Sequence, residues 1–330
     1  MTLPEVSPVS LADLQAPVHS RLSLVDAEMR RMIEEDFPLI TEVNRHLLRM
    51  RGKMFRPTLV LLADEATGGP SPRAATFAAI LELIHLATLV HDDSVDHSTL
   101  RRGMPTVNAV FSHQISVIMG DFLYSRAVVE LVRLADLDAL GVLGRVTNEM
   151  TVGEMRQLLA HDPLAFSERE YDLLIRAKTA SLMSGACEVG AIHASPEHRA
   201  ALACFGEKLG MAFQITDDLL DYTADARVTG KPSGLDLREH KVTLPLIFAL
   251  PRLSAVQRRQ VEALMEDPAP DGAMIAEVIA TVTEVGGLDY ARDRAQRLIA
   301  EADEALEVLP ESVARETLRA SLGYVLDRRR

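Results

Sequence analysis

Apolar residues recur at the three-to-four-residue spacing of α-helices along most of the chain, and strand-like alternation is nearly absent. Residues 75–91 are apolar almost all round, which is typical of a helix at the centre of a bundle. The same periodicity predicts further helices over about 9–50, 55–66, 117–134, 138–160, 168–191, 197–222, 241–250, 254–265, 272–285 and 287–307. Turn-forming Gly and Pro residues separate these segments, and no low-complexity linker divides them. We therefore expect an all-α fold in which residues 1–330 form one domain, a single large helical bundle around a central cavity.

Two acidic segments, residues 92–96 and 217–221, stand inside these apolar helices. Each contains two aspartates four residues apart, which places both carboxylates on one face of a helix. Burying such clusters is costly unless a cation lies between them. Carboxylate oxygens are hard ligands, and Mg²⁺ held by a few of them shares its remaining positions with phosphate and water. The sequence therefore indicates chemistry on a diphosphate ester at a magnesium site.

Basic residues accompany both acidic segments, although the chain as a whole has a formal net charge of −13. That charge argues against a nucleic-acid partner, because no basic excess is present to neutralise a phosphate backbone. Arg and Lys side chains beside the acidic segments suit diphosphate oxygens instead. The candidates are Lys53, Arg56, Arg101, Arg102, Lys178, Lys231 and Lys241. His85 lies seven residues before Asp92 on the same helix face, and it is either a phosphate donor or a histidine satisfied in the core.

Other kinds of site lack their sequence signatures. Glu82 and His85 have the Glu-x-x-His spacing of a di-iron bundle, but no second such pair occurs. A phosphate-binding Gly-rich loop, a Gly-x-Ser-x-Gly elbow and zinc-type Cys/His spacing are also missing from the sequence. A magnesium site without an evident protein nucleophile favours a reaction in which the metal-bound diphosphate is the leaving group.

The composition favours a soluble protein in a reducing compartment. Only two cysteines occur, Cys187 and Cys204, so no disulfide framework is implied. The first residues lack the basic segment and apolar core of a secretory signal. No stretch reaches the roughly 18 uninterrupted apolar residues of a membrane span. We therefore expect a cytoplasmic protein.

In their order and spacing, these motifs resemble those of the all-trans polyprenyl diphosphate synthases, which elongate isoprenyl chains head to tail. The resemblance runs from about residue 50 to 250 and is carried by segments 52–57, 91–96, 100–103, 120–123, 178–180, 213–221, 230–237 and 241–245. It implies that isopentenyl diphosphate condenses with an allylic diphosphate by ionisation, condensation and elimination. The allylic C–O bond breaks, the isopentenyl double bond attacks the cation, and the departed diphosphate takes up the proton that is lost.

The resemblance also implies roles for the candidate residues. Three Mg²⁺ ions would be held by Asp92, Asp96 and Asp217, with Asp93 and Asp221 in support. The allylic diphosphate would be held by the basic side chains of Arg101, Lys178 and Lys231, with Gln214 nearby. The expected catalytic residues are these three basic residues together with Asp92, Asp96 and Asp217. Isopentenyl diphosphate would be held by Lys53, Arg56, His85 and Arg102, and Lys241 is a further substrate-binding candidate. Thr179 and the carbonyl of Lys178 would face the cation.

Two positions depart from the pattern of the family. Met54 stands where a basic residue is frequent, so one diphosphate contact is expected to be absent. His240 stands where glycine is common, which makes the geometry of the loop before Lys241 an open question.

Product length is expected to depend on the residues beneath the first acidic segment. Ala87 and Thr88 lie roughly 6–8 Å down the helix from Asp92, at about 1.5 Å per residue. Short-chain members of the family carry bulky aromatics there or a two-residue insertion in the acidic segment, and this chain has neither. We therefore expect a long product, hexaprenyl to decaprenyl, whose tail passes Ala87 and Thr88 into a channel floored by one of residues 122–124.

Three alternatives remain open. In the first, the reaction is the same but the channel is shorter, so the product is geranylgeranyl or farnesyl diphosphate. A terpene cyclase would fold the cation on itself, but such sites are generally lined with aromatics, which make up only 4% of this chain. A non-catalytic subunit of a heteromeric synthase is expected to lack part of the acidic segments, and here both are complete. The resemblance further implies a homodimer, and the insolubility of a long product suggests transient membrane contact at its release.

Overall fold

The computed structural model describes residues 9–50, 52–158, 163–223 and 234–327. Within them the chain is almost entirely helical, which confirms the predicted all-α fold. The helices in chain order are α1 (Leu11–Gln15), α2 (His19–Ile33), α3 (Pro38–Arg49), α4 (Phe55–Ala66), α5 (Ala74–Val95), α6 (Val107–Val110), α7 (His113–Leu134), α8 (Leu137–Leu158), α9 (Glu168–Ile175), α10 (Ser181–Gly190), α11 (Pro196–Thr223), α12 (Leu235–Arg238), α13 (Leu244–Ala249), α14 (Ala255–Glu266), α15 (Gly272–Glu284), α16 (Gly287–Ala305) and α17 (Val313–Leu326). A π-helical segment, Arg176–Ala180, joins α9 to α10. A short antiparallel pair, β1 (Leu100–Arg101) and β2 (Met104–Pro105), follows α5.

The bundle is organised around α5 and α11. Helix α5 packs against α2, α4 and α7, and α11 packs against α10 and α16. One contiguous cluster of buried apolar residues extends from Val18 to Val325, so helices from both ends of the chain share one core. This continuity supports the interpretation of the chain as a single domain.

By length and composition, α5 is apolar enough to cross a membrane, although Glu82 and His85 interrupt its apolar run. Of its most apolar 18-residue window, 67% is buried inside the structure. Its apolar character is therefore accounted for by its position in the core, where most faces of the helix meet other helices.

The predicted helix over 9–50 is wrong as one element, because the structure divides it into α1, α2 and α3. Pro17 lies in a 3₁₀ turn between the first two, and Pro38 begins the third. Proline lacks the backbone N–H that a helix interior requires, so both positions end a helix or begin one. Helix α17 lies beyond the predicted helices, and Ser312 caps it by accepting a hydrogen bond from the Arg315 N–H.

Candidate active site

A cavity of about 620 Å³ lies between α5 and α8. Its α5 wall is formed by Ile84, Ala87, Thr88, His91, Asp92, Val95 and Asp96. Ala87 and Thr88 therefore lie in the cavity wall beneath Asp92, as helical spacing predicts. Helix α8 forms the opposite wall, and this wall includes Glu154 close to Asp92.

The prediction that one of residues 122–124 lines this cavity holds for Tyr124 alone. Leu123 is fully buried in the hydrophobic core. Phe122 lies under the Arg126 guanidinium, 5.6 Å from its ring centroid, in a cation–π contact. Successive residues of a helix point in directions about 100° apart, so only one of the three can face the cavity.

The first acidic segment lies at the end of α5, where two of its aspartates line the cavity and the third pairs with an arginine. Asp92 and Asp96 both line the cavity. The pKa of Asp92 is raised to about 6, mainly by burial and also by the nearby carboxylates of Glu154 and Asp96, against the effect of Lys178. Asp93 instead points to Arg101, whose Nε donates to both carboxylate oxygens, at 2.8 and 2.9 Å. The structure therefore gives Asp93 a cationic partner and leaves like charges crowded around Asp92.

Lys178 is held by two residues of α8 that sequence reasoning did not select. Its Nζ lies 2.8 Å from Glu154 Oε1 and donates a hydrogen bond of 2.7 Å to Gln157 Oε1. The two residues are three apart in the predicted helix over 138–160, so they share a face. Nothing local to the sequence indicates which distant element that face meets.

Lys178 and Thr179 lie in the π-helical segment, a rare conformation that is frequent at functional sites. Two glycines allow neighbouring helices to approach this segment closely. A Cβ at Gly153 of α8 would lie 2.6 Å from Ala177 Cβ, and one at Gly210 of α11 would lie 2.5 Å from Ala180 Cα. Because the π-helical turn is wide, two consecutive side chains reach different helices. Lys178 bonds to residues of α8, and Thr179 bonds to Gln214 of α11.

The second acidic segment is anchored by hydrogen bonds on the side away from Asp217. Asp218 is buried, where it accepts from Tyr171 OH at 2.6 Å and from Gln214 Nε2 at 2.9 Å. Burial raises the pKa of Asp218 to about 7. Gln214 Oε1 in turn accepts from Thr179 Oγ1 at 2.8 Å. Gln214 thus links the second acidic segment to the π-helical segment.

Asp221 holds the start of α12. Its two carboxylate oxygens accept from the Leu235 N–H at 3.0 Å and the Asp236 N–H at 2.9 Å. The pKa of Asp236 is raised to about 6, mainly by burial and also by the charges of Asp221 and Asp217. Asp236 is therefore a further carboxylate beside the second segment. It lies in motif 230–237 of the sequence but is not among the predicted site residues, because it stands outside the four-residue aspartate spacing.

Lys241 lies within electrostatic reach of Asp96 at the end of the first acidic segment and of Asp236 in α12. Its Nζ is 2.6 Å from Glu239 Oε2. Burial lowers the pKa of Lys241, but the hydrogen bond to Glu239 and the charges of Glu239, Asp236 and Asp96 outweigh this effect, so the pKa is raised. The charges of Asp96 at the end of α5 and of Asp236 in α12 therefore both act on this one ammonium group.

The carboxylates of the two acidic segments and of Asp236 are chemically suited to bind divalent cations. Asp92 with Asp96, and Asp217 with Asp236, are hard oxygen donors; the charge of Asp96 contributes to the raised pKa of Asp92, and the charge of Asp217 contributes to that of Asp236. Among the described residues, no group of three or more His, Cys, Asp or Glu side chains has the arrangement of a complete metal site.

A second cluster of cations surrounds the start of α4. Arg56 Nη1 donates to His85 Nε2 at 3.0 Å. Burial lowers the pKa of His85 well below its ordinary value, and the charges of Arg56, Arg102 and Arg101 lower it further. The lowered pKa agrees with a neutral His85 that accepts from Arg56, and a contact of His85 with a phosphate stays a prediction. Glu82 is also buried, and the charges of Arg56 and Arg102 oppose the rise that burial causes in its pKa.

Arg102 packs directly on the loop before α4. Its Nη1 donates to the Met50 carbonyl at 2.8 Å. A Cβ at Gly52 would lie 2.8 Å from both terminal guanidinium nitrogens, so a larger residue there would require the Arg102 side chain to move. Lys53 is exposed beside it, and its carbonyl accepts from Gln15 Nε2 at 2.8 Å. Lys53, Arg56 and Arg102 thus lie around one loop, whereas Lys231 falls outside the described residues.

The two departures from the family pattern share a backbone conformation. Met54 has φ +58° and His240 has φ +56°, the left-handed region that favours glycine. The His240 ring bonds the Asp267 carbonyl at 2.9 Å, and the Lys241 N–H donates to the Asp236 carbonyl at 2.8 Å. The loop before Lys241 is therefore closed by hydrogen bonds despite the absence of glycine.

The family profile described as "Polyprenyl synthetase" matches residues 37–282. The chain is 41% identical over 319 residues to an all-trans-nonaprenyl-diphosphate synthase (geranyl-diphosphate specific) of Rhodobacter capsulatus, covering 96% of this chain and 97% of that one. It is similar to the crystal structure of a decaprenyl diphosphate synthase from Rhodobacter capsulatus, with TM-score 0.92 and 35% identity over 97% of this chain and 100% of that one. It is also similar to a geranylgeranyl pyrophosphate synthase from Corynebacterium glutamicum complexed with calcium and isoprenyl diphosphate, with TM-score 0.82 and 30% identity over 95% and 96% of the two chains. The predicted resemblance is confirmed, and the chain belongs to the polyprenyl synthetase family.

Proposed function

We propose that this protein is a Mg²⁺-dependent long-chain synthase that condenses isopentenyl diphosphate with an allylic diphosphate to give an all-trans polyprenyl diphosphate of about hexaprenyl to decaprenyl length. One observation carries the proposal. A cavity of about 620 Å³ descends from Asp92 and Asp96 past Ala87 and Thr88, so a diphosphate at the carboxylates has room for its tail along small side chains. A pocket of this volume is in the usual range for organic ligands.

The proposed metal ligands are Asp92 and Asp96 of the first acidic segment and Asp217 of the second. Together they would hold three Mg²⁺ ions. We assign Asp93 and Asp221 supporting roles, because their carboxylates accept hydrogen bonds from Arg101 and from the start of α12. When bound, the metal supplies positive charge that stabilises the leaving diphosphate.

Cations on both sides of the cleft would bind the allylic diphosphate. Arg101 and Lys178 are positioned for this role by Asp93 and by the Glu154–Gln157 pair. Lys231 and Lys241 would bind from the side of the second acidic segment. The carbonyl of Lys178 and the hydroxyl of Thr179 would lie beside the cation that forms when the allylic C–O bond breaks.

Isopentenyl diphosphate would bind around the loop before α4, with Lys53, Arg56 and Arg102 as its cationic contacts. His85 is assigned a supporting role, since it accepts a hydrogen bond from Arg56 and thereby orients the guanidinium. The isopentenyl double bond forms the new C–C bond, and the proton lost in restoring a double bond passes to the departed diphosphate. No protein base is required by this balance.

The cavity supports synthesis of a linear product over cyclisation. Cyclases stabilise a folded cation with aromatic walls, whereas Tyr124 is the one Phe, Tyr or Trp among the described residues lining this cavity. Both acidic segments are complete, which supports a catalytic chain over a non-catalytic subunit. The remaining alternative is a geranylgeranyl or farnesyl product.

The direct test is incubation with Mg²⁺, farnesyl diphosphate and radiolabelled isopentenyl diphosphate, followed by sizing of the dephosphorylated products. We expect a ladder that ends at hexaprenyl or longer. A ladder that stops at geranylgeranyl would keep the chemistry and overturn the long-chain assignment. Formation of a cyclic hydrocarbon without incorporation of isopentenyl diphosphate would overturn the synthase itself.

We also propose that the protein is a cytoplasmic homodimer that contacts membranes transiently when it releases product. The two cysteines are free, which agrees with a reducing compartment. Exposed apolar residues on α7 and α8 support a second copy as partner. Flotation with liposomes tests the membrane contact, and protein should float only when product is bound.

A further inference from the structure

A chain of hydrogen bonds runs from the core of the bundle to the π-helical segment. The hydroxyl of Tyr171 on α9 donates to Asp218 Oδ2 at 2.6 Å, and Gln214 Nε2 donates to Asp218 Oδ1 at 2.9 Å. Thr179 Oγ1 then donates to Gln214 Oε1 at 2.8 Å. Tyr171 and Asp218 are buried, whereas Gln214 and Thr179 are partly exposed. The chain therefore ends at the residue that follows Lys178, and the proposed function gives Tyr171 and Asp218 no role.

The direction of each hydrogen bond follows from the chemistry of its partners. A carboxylate accepts hydrogen bonds, so the amide nitrogen of Gln214 faces Asp218 and its amide oxygen faces Thr179. An amide oxygen also accepts, so Thr179 donates its one hydroxyl proton to Gln214. With this proton committed, the Thr179 oxygen offers only lone pairs to a group on its other side. The chain therefore sets the polarity of the Thr179 hydroxyl.

Tyr171 is needed to keep this polarity. It holds one oxygen of Asp218 while Gln214 holds the other, so without the Tyr171 hydroxyl the carboxylate can turn about its terminal torsion. The Gln214 amide is then no longer fixed in one of its two orientations. In the reversed orientation its nitrogen would donate to Thr179, whose own O–H would point away from α11. The backbone would stay in place, because α11 and the π-helical segment are in close contact at Gly210.

We propose that Tyr171 is a positioning residue that acts through Asp218 and Gln214 to turn the Thr179 hydroxyl proton away from the allylic carbon. The inference rests on the proposed function, which places Thr179 beside the cation. Oxygen lone pairs stabilise a developing positive charge, whereas an O–H proton opposes it. The difference arises only as charge develops, so it affects the rate of ionisation and not the binding of the allylic diphosphate.

The first experiment compares Tyr171→Phe with Tyr290→Phe. Tyr290 is the matched control, because its hydroxyl also donates to a carboxylate, that of Glu168 at the start of α9. The measurements are the single-turnover rate of the first condensation and the Kd for farnesyl diphosphate. We expect Tyr171→Phe to lower the rate about tenfold, the effect of a lost hydrogen bond to a charged group, and to change the Kd less than about twofold. Tyr290→Phe should match the wild type.

A double-mutant cycle tests whether the effect passes through Thr179. Thr179→Val keeps the shape of the side chain and removes the hydroxyl. In this background, Tyr171→Phe should change the rate less than about twofold, because the group on which it acts is gone. A loss as large as in the wild-type background would overturn the inference, and so would a wild-type rate in Tyr171→Phe alone. Failure of the wild type to incorporate isopentenyl diphosphate would instead refute the proposed function.

A binding experiment needs no turnover and adds a second variant, Gln214→Met, which breaks the chain but keeps the bond between Tyr171 and Asp218. Calorimetry with Mg²⁺ compares a diphosphate that carries a tertiary ammonium in place of the tertiary allylic carbon with its uncharged carbon isostere. We expect the wild type to prefer the ammonium analogue and both variants to reduce that preference about tenfold. Equal weakening of the two analogues would overturn the inference, because the damage would then be structural. If neither analogue binds the wild type, the proposed function fails.

Discussion

The ammonium group of Lys178 lies 2.8 Å from the carboxylate of Glu154, which joins the π-helical segment to α8 across the top of the cavity. Without this partner only the hydrogen bond to Gln157 holds the lysine side chain, and its charge is held less firmly toward the proposed diphosphate site. The two residues therefore form one functional unit.

Glu154→Gln should lower kcat by about ten- to a hundredfold, the range expected when a catalytic group is slightly misplaced. Steady-state kinetics with isopentenyl diphosphate measures the effect. Glu149→Gln is the matched control, because Glu149 is on the same helix and only reaches Arg145 at 4.0 Å. Equal kcat values for the two variants would contradict the assigned role of Glu154.

Ala87→Phe should shorten the product, because an aromatic ring at this position would fill the cavity beneath Asp92. The measurement is the size of the dephosphorylated products. Incorporation of isopentenyl diphosphate should be retained. Leu86→Phe is the control, since Leu86 packs on the core beside it and does not line the cavity. An unchanged ladder in Ala87→Phe would mean that this residue only fills space between helices.

Gly153→Ala should destabilise the protein by about 1–3 kcal/mol, the usual cost of overpacking. The added Cβ would lie 2.6 Å from Ala177 Cβ, so the π-helical segment must move and activity should fall with stability. Gly323→Ala on α17 is the control, because a Cβ there meets nothing within 4 Å. That change should be neutral or stabilising by up to about 1 kcal/mol in urea unfolding.

Asp96→Asn should raise the Mg²⁺ concentration needed for half-maximal activity, by about tenfold or more, because one carboxylate of the first acidic segment is removed. The measurement is a Mg²⁺ titration of activity, preceded by loss of activity in EDTA. Asp289→Asn, at an exposed position on α16, should leave the titration unchanged. Identical curves for all three proteins would remove Asp96 from the proposed metal site.

Tyr171→Phe should destabilise the metal-free protein by about 1.5–3 kcal/mol, because buried Asp218 loses a hydrogen bond to its charged form. Burial already raises the pKa of Asp218 to about 7, so the folded state binds its proton more tightly than the unfolded state. Stability contributed by this group therefore falls as pH rises from about 4 to 7. Removing the hydrogen bond raises the pKa further, so the loss should be larger at pH 8 than at pH 5.

Urea unfolding at the two pH values measures this prediction. Tyr290→Phe is the matched control, since it removes a hydrogen bond of 2.8 Å to the Glu168 carboxylate at a partly exposed site. A pH-independent loss in Tyr171→Phe equal to that of the control would contradict the assigned protonation of Asp218.

The sequence alone predicts the helical class. It also identifies the two acidic segments and the basic residues that accompany them. Each depends on short-range order: apolar periodicity along one helix, or carboxylates spaced by one turn. The same local geometry correctly places Ala87 and Thr88 beneath Asp92, because rise and rotation per residue are properties of any α-helix.

Tertiary structure alone decided which side chains meet across helices. It paired Asp93 with Arg101 and Lys178 with Glu154, turned Asp218 into the core, and added Asp236 beside the second segment. Apart from the local pair Asp93 and Arg101, these relationships join different helices, and they depend on how each helix is rotated and shifted against its neighbours. That packing is set by many weak contacts summed over the whole core, which no local pattern of residues contains.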